Sequence, residues 1–136
     1  MARAQHTYWR VLFGTAITLA LGSLIAALTL IPIAAGGPSG SDKLYHVLAF
    51  AALAVPLSLA RPRLSGWVFC GVLAYGGAIE LSQPVFGREA EWGDFMADGV
   101  GALLGVAVGG HFGRRRRNGS RRLSVVDGIN SAPGSH

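Results

Sequence analysis

Eight charged or strongly polar residues interrupt the apolar segments of this chain, and they are the residues best able to do chemistry. They are Asp42, Lys43, His46, Glu80, Gln83, Arg88, Asp94 and Asp98. Charged side chains at membrane depth are energetically costly, so they usually face the interior of a helix bundle or a polar cavity and often mark function. Threading the chain four times through a membrane would bring all eight to the same face, which predicts one polar cluster supplied by three helix ends.

The spacing of these residues suits helices. Asp42 and His46 are four residues apart, as are Asp94 and Asp98, and the glutamate and glutamine between them in sequence are three apart. Residues three or four apart are neighbours on a helix surface. Each apolar segment is therefore predicted to present its polar residues as one stripe.

Small residues recur every four positions in the last apolar segment, at Gly101, Gly105 and Gly109. Such spacing lets the backbones of membrane helices approach closely. Asp94 and Asp98 each lie seven residues before one of these glycines, which places their carboxylates close to the packed face. The glycines are thus interpreted as a helix-packing scaffold that directs the two aspartates inward.

The composition points to a membrane protein. Of the 136 residues, 51% are hydrophobic and only 14% are charged, which leaves too little polar surface to cover a soluble globule. The basic residues flank the apolar runs, as the positive-inside rule expects, and this argues against nucleic-acid binding. The predicted fold class is all-α, a polytopic membrane protein built as a bundle of four transmembrane helices.

The apolar runs divide the chain into three parts. A cytoplasmic segment (1–10) precedes a four-span membrane domain (11–112), and a basic, disordered cytoplasmic tail (113–136) follows it. A secretory signal is the alternative for the first run, but a signal has an apolar region of about 7–15 residues, so a retained span is favoured. The four predicted spans cover residues 11–33, 44–60, 66–84 and 94–112.

Four motifs follow one another along the chain: Asp42-Lys43-x-x-His46, Glu80-x-x-Gln83, Gly87-Arg88 and Asp94-x-x-x-Asp98-x-x-Gly101-x-x-x-Gly105. In this order they resemble the motifs of the VanZ-like family of small bacterial membrane proteins, named after a teicoplanin-resistance protein. One departure is Asp98, where the family pattern has Asn. The resemblance implies a multi-pass protein of the bacterial cytoplasmic (inner) membrane, linked to glycopeptide resistance or to envelope homeostasis, and it supplies no reaction.

Three functions remain open for the polar cluster. It could bind the headgroup of a membrane lipid or a lipid-linked cell-wall precursor, with Arg88 and Lys43 on phosphate. It could be an enzyme site, with His46 as base and Glu80 or Asp98 as acid, or with these groups holding a divalent metal. It could also consist of ion pairs that only lock the helices together.

The sequence assigns neither a catalytic residue nor a cofactor, and it assigns no metal ligand. With His46 neutral, the eight residues carry two excess negative charges if every acid is ionised. Unpaired charge in a low-dielectric setting is costly, so a retained proton, a bound cation or a protonated His46 is expected. The expected partners are membrane lipids and, through the glycine face, a second copy of the chain.

Overall fold

The computed structural model describes residues 2–30 and 41–130, and it confirms the all-α prediction. Within these residues four long helices and two short 3₁₀ turns account for the regular structure, and no strand is present. The helices are α1 (Ala2–Leu30), α2 (Ser41–Ala60), α3 (Ser65–Ser82) and α4 (Trp92–Asn130), with the 3₁₀ turns at Pro62–Leu64 and Gln83–Phe86.

All four helices are long and apolar enough to cross a membrane, as in a multi-pass membrane protein. Their outward surfaces carry large apolar side chains such as Leu19, Trp67 and Leu81, the last of which is 82% exposed. A soluble monomer rarely exposes so much contiguous apolar surface. Contact of these apolar side chains with lipid tails carries no such energetic cost as contact with water. The apolar windows are Thr7–Leu30, Ser41–Ala60, Pro62–Phe86 and Trp92–Gly119.

Helices α2 and α4 run parallel and in close backbone contact. A Cβ atom on Gly101 or Gly105 would overlap a carbonyl oxygen of α2. Glycine lacks that atom, so the two backbones can approach to a distance that a larger residue would prevent. The partners advance in step along both helices, which fixes the register: the α4 glycines 101, 105, 109 and 113 face the carbonyls of Val47, Ala51, Val55 and Leu59.

The other two helices pack around this parallel pair. The apolar core combines α2 residues with residues from all three other helices, and Phe50 and Ala102 lie fully inside it. The Tyr75 hydroxyl of α3 donates a hydrogen bond to the Gly22 carbonyl of α1. The up-and-down order places the end of α1, the start of α2, the end of α3 and the start of α4 together, and this region is called the polar end below.

The boundaries differ from the sequence prediction at both ends. Helix α1 begins at Ala2 rather than at residue 11, and α4 continues to Asn130 rather than ending at residue 112. The expected disordered tail is therefore helical over 113–130. No proline interrupts either extension, and arginine is a good helix former, so a basic stretch can stay helical without burying an apolar face. Predicted residues 31–33 of the first span lie outside the described residues.

The connection from α3 to α4 turns sharply at Gly87. Helix α3 ends at Ser82, and the predicted final residues of this span form the 3₁₀ turn that contains Pro84. Gly87 has a left-handed backbone (φ 76°) and donates its N–H to the Pro84 carbonyl at 3.2 Å. Glycine reaches that conformation without steric cost, so it closes the turn and sends Arg88 back across the polar end.

Candidate functional site

His46 is held between two aspartates of α4. Its Nδ1 lies 2.8 Å from Asp98 Oδ1, and its Nε2 lies 3.6 Å from Asp94 Oδ2. The aspartates are one helical turn apart, so both can face one imidazole ring. All three residues are buried, and Asp98 is completely inaccessible. The parallel packing of α2 and α4 therefore builds a buried carboxylate–imidazole–carboxylate arrangement.

Lys43 lies beside this arrangement and is bound by acids. Its Nζ is 3.3 Å from Glu91, 3.7 Å from Asp94 and 3.8 Å from Asp42. The side chains of Lys43, Asp42 and Glu91 are about half exposed, so their ion pairs are weak individually. Three acids around one ammonium nevertheless leave Lys43 well compensated. The Lys43 stem passes over Gly93, where a Cβ atom would come within 2.8 Å of it.

Glu80 reaches the cluster from α3 and anchors the loop before α4. Its Oε2 accepts the Glu91 backbone N–H at 3.1 Å. With the Gln83 amide oriented to satisfy its neighbours, that amide nitrogen donates to the same oxygen at 3.2 Å and to the Glu89 carbonyl at 3.1 Å. Glu80 is only 6% exposed and Gln83 only 1%. One carboxylate oxygen is thus fixed, while Oε1 has no hydrogen-bond partner within the described chain.

Arg88 occupies a different position from the other seven predicted residues. Its Nη1 donates to the Thr29 carbonyl at 2.8 Å, near the end of α1. A cation is favourable at a helix C-terminus, where backbone carbonyls lack intrahelical partners. Within residues 2–30 and 41–130, Arg88 makes no ion pair with an acid of the cluster. It therefore ties α1 to the polar end.

A pocket of about 240 Å³ connects Arg88 with the rest of the cluster. It lies between α1, α2 and the α3–α4 loop, and it combines charged, hydrogen-bonding and apolar lining. A separate pocket of about 390 Å³ opens beside Glu80 and Glu91, against Trp92 and Phe95. The cluster is thus reachable from two sides. The residues that line the smaller pocket are Ile25, Leu28, Thr29, Asp42, Tyr45, His46, Ala49, Phe50 and Arg88.

Two groups of side chains have the composition and proximity of a metal site. His46, Glu80 and Asp98 each offer a ligand atom, and these atoms lie within 4.8 Å of one another. Asp42, Glu91 and Asp94 form the second group. Lys43 contacts all three members of the second group, so that group already has a counter-charge.

Sequence reasoning missed Glu91, Thr29 and Gly76. Glu91 is the nearest acid to Lys43, and its position three residues before Asp94 at the start of α4 was the available signal. Thr29 contributes only a backbone carbonyl, which its side-chain type does not reveal. Gly76 gives Asp98 its space, since a Cβ there would lie 2.7 Å from Asp98 Oδ2. It is one turn before Glu80, on the same side of α3.

The polar end therefore brings together seven of the eight predicted residues through direct contacts or close approach, with Arg88 joined to them through the smaller pocket. Comparison of the chain with protein-family models, with curated proteins and with solved structures found no match.

Proposed function

We propose that this chain is a VanZ-like protein of the bacterial cytoplasmic membrane that binds the phosphate-bearing headgroup of a lipid or lipid-linked envelope precursor. The pocket at the polar end carries this proposal, because it combines Arg88, Asp42 and His46 with apolar side chains of α1 and α2. A lipid presents the matching combination, a charged headgroup next to hydrocarbon. A role in glycopeptide resistance of the teicoplanin type, or in envelope homeostasis, would follow from such binding.

Arg88 is the residue to which we assign the phosphate. A guanidinium has five N–H donors, and one hydrogen bond of Arg88, from Nη1, is present in the described chain. Among the described residues the remaining donors have no partner, and we assign them to a ligand in the pocket that Arg88 lines. Arginine also matches phosphate geometry through paired hydrogen bonds, which a lysine cannot reproduce.

We propose a role for Lys43 other than the phosphate contact expected from the sequence. Its three carboxylate partners compensate its charge, so it is a poor contact for a phosphate. We assign Lys43 to holding α2 against the start of α4. The carboxylate at Asp42 and the Tyr45 ring lie on the pocket wall and suit the amine or sugar part of a headgroup.

Replacing Arg88 by lysine tests the assignment. We expect Arg88→Lys to bind an anionic phospholipid, phosphatidylglycerol, about 10-fold more weakly than the unaltered chain, because a paired charge-assisted hydrogen bond is lost. Native mass spectrometry of detergent-solubilised protein with added phosphatidylglycerol gives the measurement. Arg63→Lys, at an exposed basic position on the opposite end of the bundle, is the matched control and should bind normally. Equal binding by both variants would refute the role of Arg88.

A purely structural cluster is the second candidate, and the three partners of Lys43 favour it. The two candidates differ in how function and abundance respond to substitution. Under the structural reading, alanine at Arg88, Glu80 or Asp98 lowers membrane abundance and glycopeptide tolerance in parallel. Under the binding reading, Arg88→Ala lowers lipid binding or tolerance at normal abundance.

The proposed topology has both termini in the cytoplasm and the polar end outside, as the basic residues between α2 and α3 and after the last span suggest. Cysteine labelling in intact cells tests it, with the native Cys70 replaced by alanine. We expect a membrane-impermeant maleimide to label Ala90→Cys in intact cells and Leu64→Cys only after permeabilisation. Both positions are exposed, so accessibility within the fold does not limit either reaction. The reverse pattern would place the polar end in the cytoplasm.

A further inference from the structure

Even with His46 protonated, the buried group formed by His46, Glu80 and Asp98 keeps one negative charge that no lysine or arginine among the described residues compensates. Two carboxylates face one imidazole, and neither Glu80 nor Asp98 has a lysine or arginine partner among residues 2–30 and 41–130. Glu80 is 6% exposed and Asp98 is inaccessible. Buried charge without a partner is expensive, and such groups are normally paired or coordinate a metal.

The unpartnered oxygen atoms strengthen this argument. Glu80 Oε1 and Asp98 Oδ2 are both buried, and neither has a hydrogen-bond partner in the described part of the chain. The second oxygen of each carboxylate is held, Glu80 Oε2 by the Glu91 N–H and Asp98 Oδ1 by His46. Buried polar atoms are satisfied in the great majority of cases, so two orphaned oxygens in one cluster point to a bound ligand.

We propose that His46, Glu80 and Asp98 bind a divalent transition-metal ion, with Zn²⁺ as the expected occupant. One imidazole and two carboxylates are a normal zinc donor set, and imidazole disfavours Mg²⁺ and Ca²⁺, which prefer oxygen ligands. Two ionised carboxylates and one Zn²⁺ sum to zero charge. The metal thereby removes the electrostatic cost of burying Glu80 and Asp98 together.

The local geometry suits this occupant. Donor atoms on one tetrahedral zinc ion lie roughly 3.3–3.6 Å apart at the usual bond lengths of about 2.0–2.2 Å. One ligand atom from each of His46, Glu80 and Asp98 lies within 4.8 Å of the other two, so the three side chains converge on one point. The other imidazole nitrogen faces Asp94 Oδ2 at 3.6 Å, in the position of a carboxylate that orients a metal-bound histidine.

The neighbouring acidic group is not proposed as a second site. Asp42, Glu91 and Asp94 already surround the Lys43 ammonium, and two of the three acids are exposed to about half their area. A metal ion there would have to displace Lys43. The contrast between the two groups gives the experiment an internal control, because they lie side by side and differ in burial and counter-charge.

Zinc binding to the full chain tests the proposal without any knowledge of a natural substrate. The protein is purified in detergent without a polyhistidine tag, stripped with EDTA and titrated with Zn²⁺, with the metal content measured by mass spectrometry. We expect one Zn²⁺ per chain. The near-isosteric Glu80→Gln is expected to weaken binding by about 100-fold or more, since even outer partners of metal ligands change affinity by 10–100-fold. Glu91→Gln, in the neighbouring group, should bind Zn²⁺ as the unaltered chain does.

Cobalt provides a second readout at the same site. Co²⁺ bound by the three side chains should give visible absorption bands that are absent from His46→Gln. Circular dichroism checks that each variant remains helical, and Glu80→Gln and His46→Gln are independent, so poor folding of one leaves the other informative. Absence of stoichiometric Zn²⁺ binding by the unaltered chain, or retention of full affinity by both variants, would overturn the proposal. Lipid binding at Arg88 is a separate measurement that either result leaves standing.

Discussion

Gly105→Ala is expected to destabilise this protein by about 1–3 kcal/mol, although it adds only one methyl group and increases intrinsic helix propensity. The new Cβ atom would overlap the Ala51 carbonyl oxygen of α2 and lie 2.8 Å from the Ala54 Cβ. The Ala51 carbonyl is backbone and cannot rotate away. The two helices must therefore separate along the packed face, and the neighbouring contacts of Gly101 and Gly109 with α2 weaken as well.

Thermal unfolding in detergent, followed by circular dichroism, measures this effect. Gly71→Ala is the matched control, because the same methyl group enters another membrane helix, α3, with no heavy atom within 4 Å. It should be neutral or stabilising by up to about 1 kcal/mol. If Gly105→Ala unfolds at the same temperature as Gly71→Ala, the α2–α4 packing described above is incorrect.

Asp98→Ala is expected to cost about 3–5 kcal/mol, because it removes the closest partner of a buried imidazole and leaves space in the centre of the bundle. His46 Nδ1 and Asp98 Oδ1 are 2.8 Å apart, and Asp98 is completely inaccessible to solvent. Asp98→Asn should cost clearly less, since an amide oxygen can still accept a hydrogen bond from the ring.

A double-mutant cycle with His46→Ala separates the pair from its surroundings. The coupling between the two positions is expected to be about 0.5–3 kcal/mol, so the double variant should be more stable than the two single losses predict together. Measurement in EDTA keeps bound metal from contributing. Asp42→Ala, an exposed acid at the same end of the bundle, should leave the unfolding temperature unchanged. Additive losses at His46 and Asp98 would show that the two side chains do not act as a pair.

The polar cluster could be predicted from the sequence because charge is rare in this chain. A carboxylate within an apolar helix is costly unless it faces the bundle interior or a polar cavity. Because the four spans alternate in direction, the start of α2, the end of α3 and the start of α4 lie at the same end, so their polar residues can meet there. On that ground the sequence identifies His46, Asp94 and Asp98. In the structure His46 of α2 contacts both aspartates, which lie one helical turn apart on α4. Helical spacing also indicated which side of each segment carries them.

The role of each cation could not be predicted in the same way. Lys43 and Arg88 are both cations at the polar end, and the lipid-binding hypothesis drawn from the sequence placed both of them on phosphate. In the structure Lys43 is surrounded by acids, whereas Arg88 reaches a backbone carbonyl of α1 and lines a pocket. The contacts of Arg88 depend on the path of the loop at Gly87. A short turn there determines that the Arg88 side chain reaches α1.

The sequence by itself determined that the chain is a bundle of four apolar helices and that the polar residues near the start of α2, the end of α3 and the start of α4 meet at one end, because the hydrophobic effect acts on composition and periodicity. Only the tertiary structure decided that α2 and α4 are the closely packed parallel pair. It also decided that Glu80 Oε1 and Asp98 Oδ2 are left without partners beside His46. The reason is that a hydrogen bond needs a short heavy-atom distance and good alignment, so shifts of about 1 Å between helices decide whether a carboxylate oxygen is paired.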